Sequence, residues 1–379
     1  MKKLLIATAA FAMVAGTAQA QSVTLYGSID TGYSSVESKT AAGVKTTNAG
    51  IAQSSDVSSR WGIRGSEDLG GGMKANFNVE TSIGSGSNGA LNSNTDATGA
   101  WTHATNVGNR AMWAGISTAG GLEVRGGLQN QFIRDAALNN ADGTTNVVGN
   151  ILAGNSSVFA NRHNAISVTQ TMGAVKFGAA MTGKSTEVSN VATDVDAGKG
   201  YELMARYAQG AIQIDAAYRK VDNNSAAVAA SGYYLSNTPT VSATTLGNAA
   251  VAAVNTETET TVISGSYNFG PVKAFAGYGT QDVKTTTAGG ATTEREVMTF
   301  GVNGNISAKT QLFATYSTGE TKASATAAAL DIDGYVVGAR YSLSKRTTAY
   351  AIYGATDTNI STTEVTKAKQ YAFGLNHAF

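Results

Sequence analysis

The chain of 379 residues carries 27 basic and 26 acidic side chains, no cysteine, 44 glycines and only two prolines. Near-neutral charge excludes the electrostatic footprint of a nucleic-acid binder, and the lack of cysteine excludes a disulfide framework. Charged residues make up 14% of the chain, against about 25% in soluble globular domains, so stability must come from closed β-pairing or a large core.

In chain order, residues 1–20 read as an export signal: Lys2 and Lys3, an apolar run over 4–15, then the small-residue site Ala18-Gln19-Ala20, with cleavage expected before Gln21. The run is shorter than the roughly 20 residues of a spanning helix, and no later segment resembles one. Without Lys2 and Lys3, residues 21–379 hold 25 basic against 26 acidic side chains, a net charge of about −1.

From Val23 onward, period-2 alternation marks about sixteen segments, each near the 9 to 11 residues that a tilted membrane strand needs. The first, 23–34, sets Val23, Leu25 and Ile29 opposite Thr24, Tyr26, Ser28 and Asp30. The last, 369–379, sets Tyr371, Phe373, Leu375 and Phe379 opposite Gln370, Ala372, Gly374 and Asn376. Short connections fall near 67–71, 118–121, 171–174, 208–211, 268–271, 305–309 and 343–345. Long ones, rich in Ser, Thr, Asn, Ala and Gly, alternate with them at 35–57, 85–107, 130–160, 185–198, 221–256, 281–293, 320–331 and 357–368. This rhythm predicts an all-β fold, a 16-stranded antiparallel transmembrane β-barrel with short periplasmic turns and long external loops. It runs unbroken, so 21–379 is read as one barrel domain. Glycines at 70–72, 120–121 and 270 suit the tight turns.

Aromatics gather near the ends of the apolar face, at Tyr201, Tyr207, Tyr218, Tyr267, Phe269, Tyr278, Tyr335, Tyr341, Phe373 and Phe379. Repetition across many segments favours interfacial girdles over ordinary sheet packing. If the apolar face meets lipid, the same parity turns Trp61 and Ile63 outward and Arg60 and Arg64 into the lumen. Two such arginines are costly in lipid and cheap in a water channel. Lys74, Asn76, Asn78, Glu80, Glu123, Arg125, Glu202, Arg206, Gln213, Asp215, Arg219 and Arg340 follow inward. The candidate for a loop folded into the lumen is 130–160, carrying Arg134, Asp135 and Asp142. Wall arginines opposite loop carboxylates set up a transverse field that draws anions into a constriction. The competing reading is that these charges pair with one another and merely solvate the wall.

Three stretches carry a resemblance. They are Ser22-Val23-Thr24-Leu25-Tyr26-Gly27-Ser28-Ile29-Asp30-Thr31-Gly32, the hairpin 59–75 beginning Ser59-Arg60-Trp61-Gly62-Ile63-Arg64-Gly65, and the close Gly374-Leu375-Asn376-His377-Ala378-Phe379. Together they resemble the β-proteobacterial general porins of Gram-negative bacteria, over nearly the whole of 21–379. The resemblance implies a homotrimer of 16-stranded barrels in the outer membrane, set among lipid and lipopolysaccharide, each with its third external loop folded inward. It implies passive diffusion of small hydrophilic solutes and ions with mild anion preference, and it maps the family's second-strand arginines onto Arg60 and Arg64. A terminal Phe379 would be the mark read by the barrel-assembly machinery. The chain departs from the family at Gly126-Gly127-Leu128-Gln129, where members commonly read Gly-Arg-Gln, so one expected basic position is missing or has moved to Arg125.

The candidate pore-lining set is Arg60, Arg64, Lys74, Arg125, Arg134, Asp135 and Asp142. A hydrolase would need a motif joining one of His103, His163 or His377 to Ser and Asp, and none is legible. Neither cysteine nor clustered histidine is present to hold a metal, so no catalytic residue and no cofactor is expected. A substrate-specific channel and an adhesin or receptor acting through its external loops are the alternatives.

Overall fold

A computed structural model describes residues 22–83, 108–141, 146–152, 157–183, 198–225, 254–285, 290–324, 327–360 and 363–379. The predicted signal, 1–20, lies outside them, as do His103 and Asp142. The elements are β1 Ser22–Thr40, β2 Lys45–Gln53, β3 Arg60–Gly70, β4 Met73–Ser82, β5 Ala111–Thr118, β6 Leu122–Asn130, α1 Phe132–Asn139, β7 Arg162–Met172, β8 Val175–Thr182 and β9 Gly200–Gln209. There follow β10 Ile212–Ser225, β11 Val254–Asn268, β12 Val272–Thr285, β13 Thr292–Asn305, β14 Thr310–Lys322, β15 Leu330–Ser342, β16 Thr347–Ile360 and β17 Thr363–Ala378.

From β3 to β17 each strand pairs antiparallel with the next, and β1 closes the sheet onto β17, with Ser28 opposite Ala378. The seventeen segments fill sixteen wall positions, because β2 and β3 share one. Thr31–Lys39 of β1 pairs with β2, while Ser22–Ser28 pairs with β3. The seam ends on reciprocal backbone bonds of 3.0 Å between Gly27 and Phe379.

Side chains alternate as the sequence predicts. Leu25, Ile214, Ile263, Phe300 and Phe373 stand exposed on the outside, the arrangement a barrel adopts when its solvent there is lipid. The predicted girdle aromatics are exposed or half-buried, and rings lie side by side there, with Tyr353 4.8 Å from Tyr371 and Tyr33 5.4 Å from Phe373. Gly70, Gly121 and Gly270 take φ of 81°, 85° and 97° in three of the predicted turns, a region that favours glycine.

Several predicted long loops are strand instead. β1 runs to Thr40 and turns straight into β2 within 35–57; β12 and β13 fill most of 281–293; β16 and β17 fill most of 357–368. The physical reason is that both strand faces meet water beyond the bilayer, so apolar alternation vanishes while the backbone ladder continues. Cross-strand ion pairs mark these extensions, Lys39–Glu364 at 3.0 Å and Lys284–Glu259 at 3.6 Å.

Where β2 gives way to β3, residues 54–59 leave the ladder and turn inward. Asp30, fully buried, takes over the orphaned amides: its carboxylate accepts the N–H groups of Ser55, Asp56 and Val57 at 3.2, 3.0 and 2.8 Å, and the Tyr350 hydroxyl at 2.7 Å. Asp56 in turn receives Arg340 at 2.7 Å from Nη2 and 2.9 Å from Nε.

Candidate functional site

The connection from β6 to β7 folds into the lumen and supplies most of its buried core. Phe132, Ile133, Ala136 and Ala137 of α1, with Ile151, Leu152 and Phe159 beyond it, pack on the inward-facing Ala165, Ala180, Ala217, Val262, Val297 and Ile332. Each fully buried Phe, Ile, Leu or Val among them contributes about 1.5–3 kcal/mol. Gly277 and Gly279 of β12 leave the floor on which Leu152 and Phe159 rest.

Both ends of α1 are held by wall side chains. At its start the Glu202 carboxylate accepts the Phe132 N–H at 2.5 Å, while Arg219 Nε lies 3.0 Å and His163 Nδ1 3.4 Å from the other oxygen. An acid at a helix N-terminus satisfies a free donor and the helix dipole together. At the other end the Asn140 amide donates to Asp215 at 2.9 Å and to Ser264 at 2.8 Å, and Ser264 donates to the Ala136 carbonyl at 2.5 Å. Farther on, the connection crosses the lumen. Gln370 accepts the Val148 N–H at 3.0 Å, and Asn146 donates to Ser58 of the inward excursion at 3.1 Å.

Between α1 and the opposite wall lies a cavity of about 390 Å³. Its lining carries seven basic side chains, Arg60, Arg110, Arg125, Arg134, Arg162, Lys176 and Arg206, against three acidic ones, Glu80, Glu123 and Asp135. Glu80 lies 2.6 Å from Arg110 and 3.6 Å from Arg60. Arg206 is engaged by Asp215 at 2.5 Å. Arg162 and Lys176 have no hydrogen-bond or ion-pair partner among the described residues.

Of the candidate pore residues, Arg60 and Arg125 line this cavity, and Arg125 also pairs with Glu123 at 2.8 Å and sits over the Trp113 ring at 4.2 Å. Arg134 lines it from the loop but is largely buried, donating to the Ala160 carbonyl and so tying the two limbs of the connection. Burial, together with nearby Arg110, pulls its pKa down to about 10. Asp135, bonded by the Asn130 amide at 2.9 Å, has its pKa raised above the ordinary aspartate value by burial. Arg64 faces a second cavity nearer the short turns, over the Tyr26 ring at 5.0 Å, and Lys74 stands exposed at the turn end of β4, outside both cavities. Phe379 lies at the seam, its ring where a side chain at position 27 would otherwise project.

Sequence reasoning missed Arg110 and Arg162. Arg110 immediately precedes β5 and Arg162 begins β7, just before alternation becomes readable. The available signal is a basic residue at the loop end of the alternate strands β3, β5 and β7, at Arg60, Arg110 and Arg162. Among the described residues no helix is long and apolar enough to cross a membrane, and no group of three or more metal-ligating side chains converges.

A closed antiparallel sheet with an apolar outside, a charged lumen and a connection folded into it defines a transmembrane β-barrel of the outer membrane. Residues 7–361 match the family model of the Gram-negative porins, and the chain belongs to that family. An outer membrane porin protein of Bordetella pertussis is 46% identical over 101 residues, 23% of this chain and 25% of the relative. Outer membrane porin protein 32 of Delftia acidovorans is 50% identical over 84 residues, 22% and 23% of the two chains. The aligned stretches thus span about a quarter of these curated relatives. Among solved structures, an anion-selective porin from Comamonas acidovorans superposes with a TM-score of 0.66 at 21% identity, covering 95% of this chain and 100% of that one. OmpT of Vibrio cholerae in its trimer form gives 0.63 at 15%, with 95% and 100% covered. These likenesses are of fold.

Proposed function

We propose that the chain forms a water-filled channel through which small hydrophilic solutes and ions diffuse passively, with a preference for anions. The observation that carries this reading is the set of guanidinium groups at the narrowed lumen: Arg60, Arg110, Arg134 and Arg162 are gathered there, and Glu80 is paired with Arg110 and Arg60. Such an excess of one sign, fixed in a confined aqueous passage, raises the local concentration of the opposite ion. Arg125 and Arg64 extend it toward the turn end. The anion-selective porin of Comamonas acidovorans, which shares the fold, supports the same direction.

The protein works as a homotrimer, by analogy with the trimer form of the Vibrio barrel, within outer-membrane lipid and lipopolysaccharide. Residues 1–20 are removed on export, and Phe379 is the assembly signal read by the barrel-assembly machinery. A variant lacking Phe379 is expected to reach the membrane in reduced yield while its inserted fraction conducts normally.

The decisive experiment is recording in planar bilayers across a KCl gradient. Discrete steps, with a reversal potential on the anion side that collapses in Arg60→Ser combined with Arg110→Ser and Arg162→Ser, are expected. A cation-side potential indifferent to those substitutions would overturn the anion reading, and absence of steps would overturn the channel.

A further inference from the structure

The lumen holds a second cavity of about 490 Å³ between β1 and β6, on the turn side of the first; Trp113 and Arg125 line both. Two arginines here stand over aromatic rings, Arg125 over Trp113 at 4.2 Å and Arg64 over Tyr26 at 5.0 Å. Arg64 is exposed to the lumen and has no carboxylate within ion-pair distance among the described residues. Arg125 keeps one contact to Glu123, and a third of its side chain remains accessible. Asn78 and Ser117 add polar groups to the same lining.

A guanidinium is planar, weakly hydrated and attractive on both faces to π-systems. With a protein ring against one face, the other is left to the water of the lumen. A small spherical anion gains only charge attraction from such a group. A planar anion gains a second stacking surface as well. Both arginines and Trp113 line one cavity, so a flat solute can lie on one guanidinium while its carboxylate meets the other.

We propose that this cavity is a binding station for planar aromatic carboxylates, resting on the anion-conducting reading above. The bond set is non-covalent: the ring stacks on Arg125, backed by Trp113, and the carboxylate is held by the unpaired Arg64. The solute then leaves toward the turn end, where Lys74 stands.

The test compares benzoate with cyclohexanecarboxylate, equal in charge and close in size but not planar, as transient blockers of single-channel current. Benzoate is expected to dwell several-fold longer in the unsubstituted protein. In Arg64→Lys combined with Arg125→Lys, which retains both charges and removes both planes, the ratio of the two dwell times is expected to fall to about one. Trp113→Leu is expected to lower the ratio part of the way. Equal dwell times in the unsubstituted protein, or a benzoate advantage that persists in the double lysine variant, would overturn the station. The KCl reversal potential reads the anion preference separately, so loss of that reading and loss of the station are distinguishable.

Discussion

The wall from β9 to β13 and the wall from β3 to β7 are built by the same alternation, yet their inward side chains end in opposite states. On the first, Glu202, Asp215, Arg219 and Ser264 are occupied in gripping α1, and Ala217, Val262 and Val297 lie under its connection. On the second, Arg60, Arg125 and Arg162 remain turned to the cavity. Inward parity therefore establishes that a side chain meets the lumen, and the path of the β6–β7 connection decides what it meets there.

The largest effect is expected where the grip is broken. Glu202→Ala removes the acceptor of the Phe132 N–H and the partner of Arg219, and stranding buried charge in this way costs about 3–5 kcal/mol. Single-channel records should show larger, flickering conductance as the connection leaves the wall; quiet steps of unchanged size would mean that the apolar contacts hold it alone. Next comes the bare wall. Arg110→Ser with Arg162→Ser should cut the anion-to-cation permeability ratio several-fold while the conductance stays steady, since neither residue touches the grip.

Salt sharpens the same contrast. Raising KCl from about 0.1 M to about 1 M shortens the Debye length from about 10 to about 3 Å, so anion preference should weaken while the buried grip does not respond. The smallest effect concerns acid. Asp135 has its pKa raised by burial above the ordinary value of about 3.9, so on acidification it takes up its proton before an exposed aspartate does. That proton removes a negative charge from the lining and is bound more tightly by the folded than by the unfolded chain. Stability from this group is therefore gained, and anion preference rises slightly, as pH falls through the raised pKa. Titration of the reversal potential in the wild type and in Asp135→Asn should show the rise only in the former.

The barrel was legible because period 2 leaves a strong mark wherever one face meets lipid and the other water. It faded where strands rise past the bilayer, as in 35–57, because both faces are polar there. The grip was half legible. Phe132, Ile133, Ala136 and Ala137 have helical spacing inside a predicted loop, and Ala217, Val262 and Val297 are small or apolar at lumen parity, a combination that marks a covered inner wall. Arg60 and Arg125 were found by parity, whereas Arg110 and Arg162 precede their alternating runs. The 54–59 excursion was hidden because its support, Asp30, lies 24 positions before it on another segment.

The pairing order has a kinetic consequence. Apart from the β1–β3 contact, which spans only one intervening hairpin strand, every pairing but one joins neighbours in the chain, so the sheet can grow by successive local hairpins with little loop-closure cost. The exception is the seam, where Ser28 must find Ala378 across almost the whole sequence. Folding should then resemble a zipper with one slow final latch. Until that latch sets, the growing sheet exposes two unpaired edges, β1 and β17, the form in which a chain of this kind is most open to capture by a chaperone or by another copy of itself.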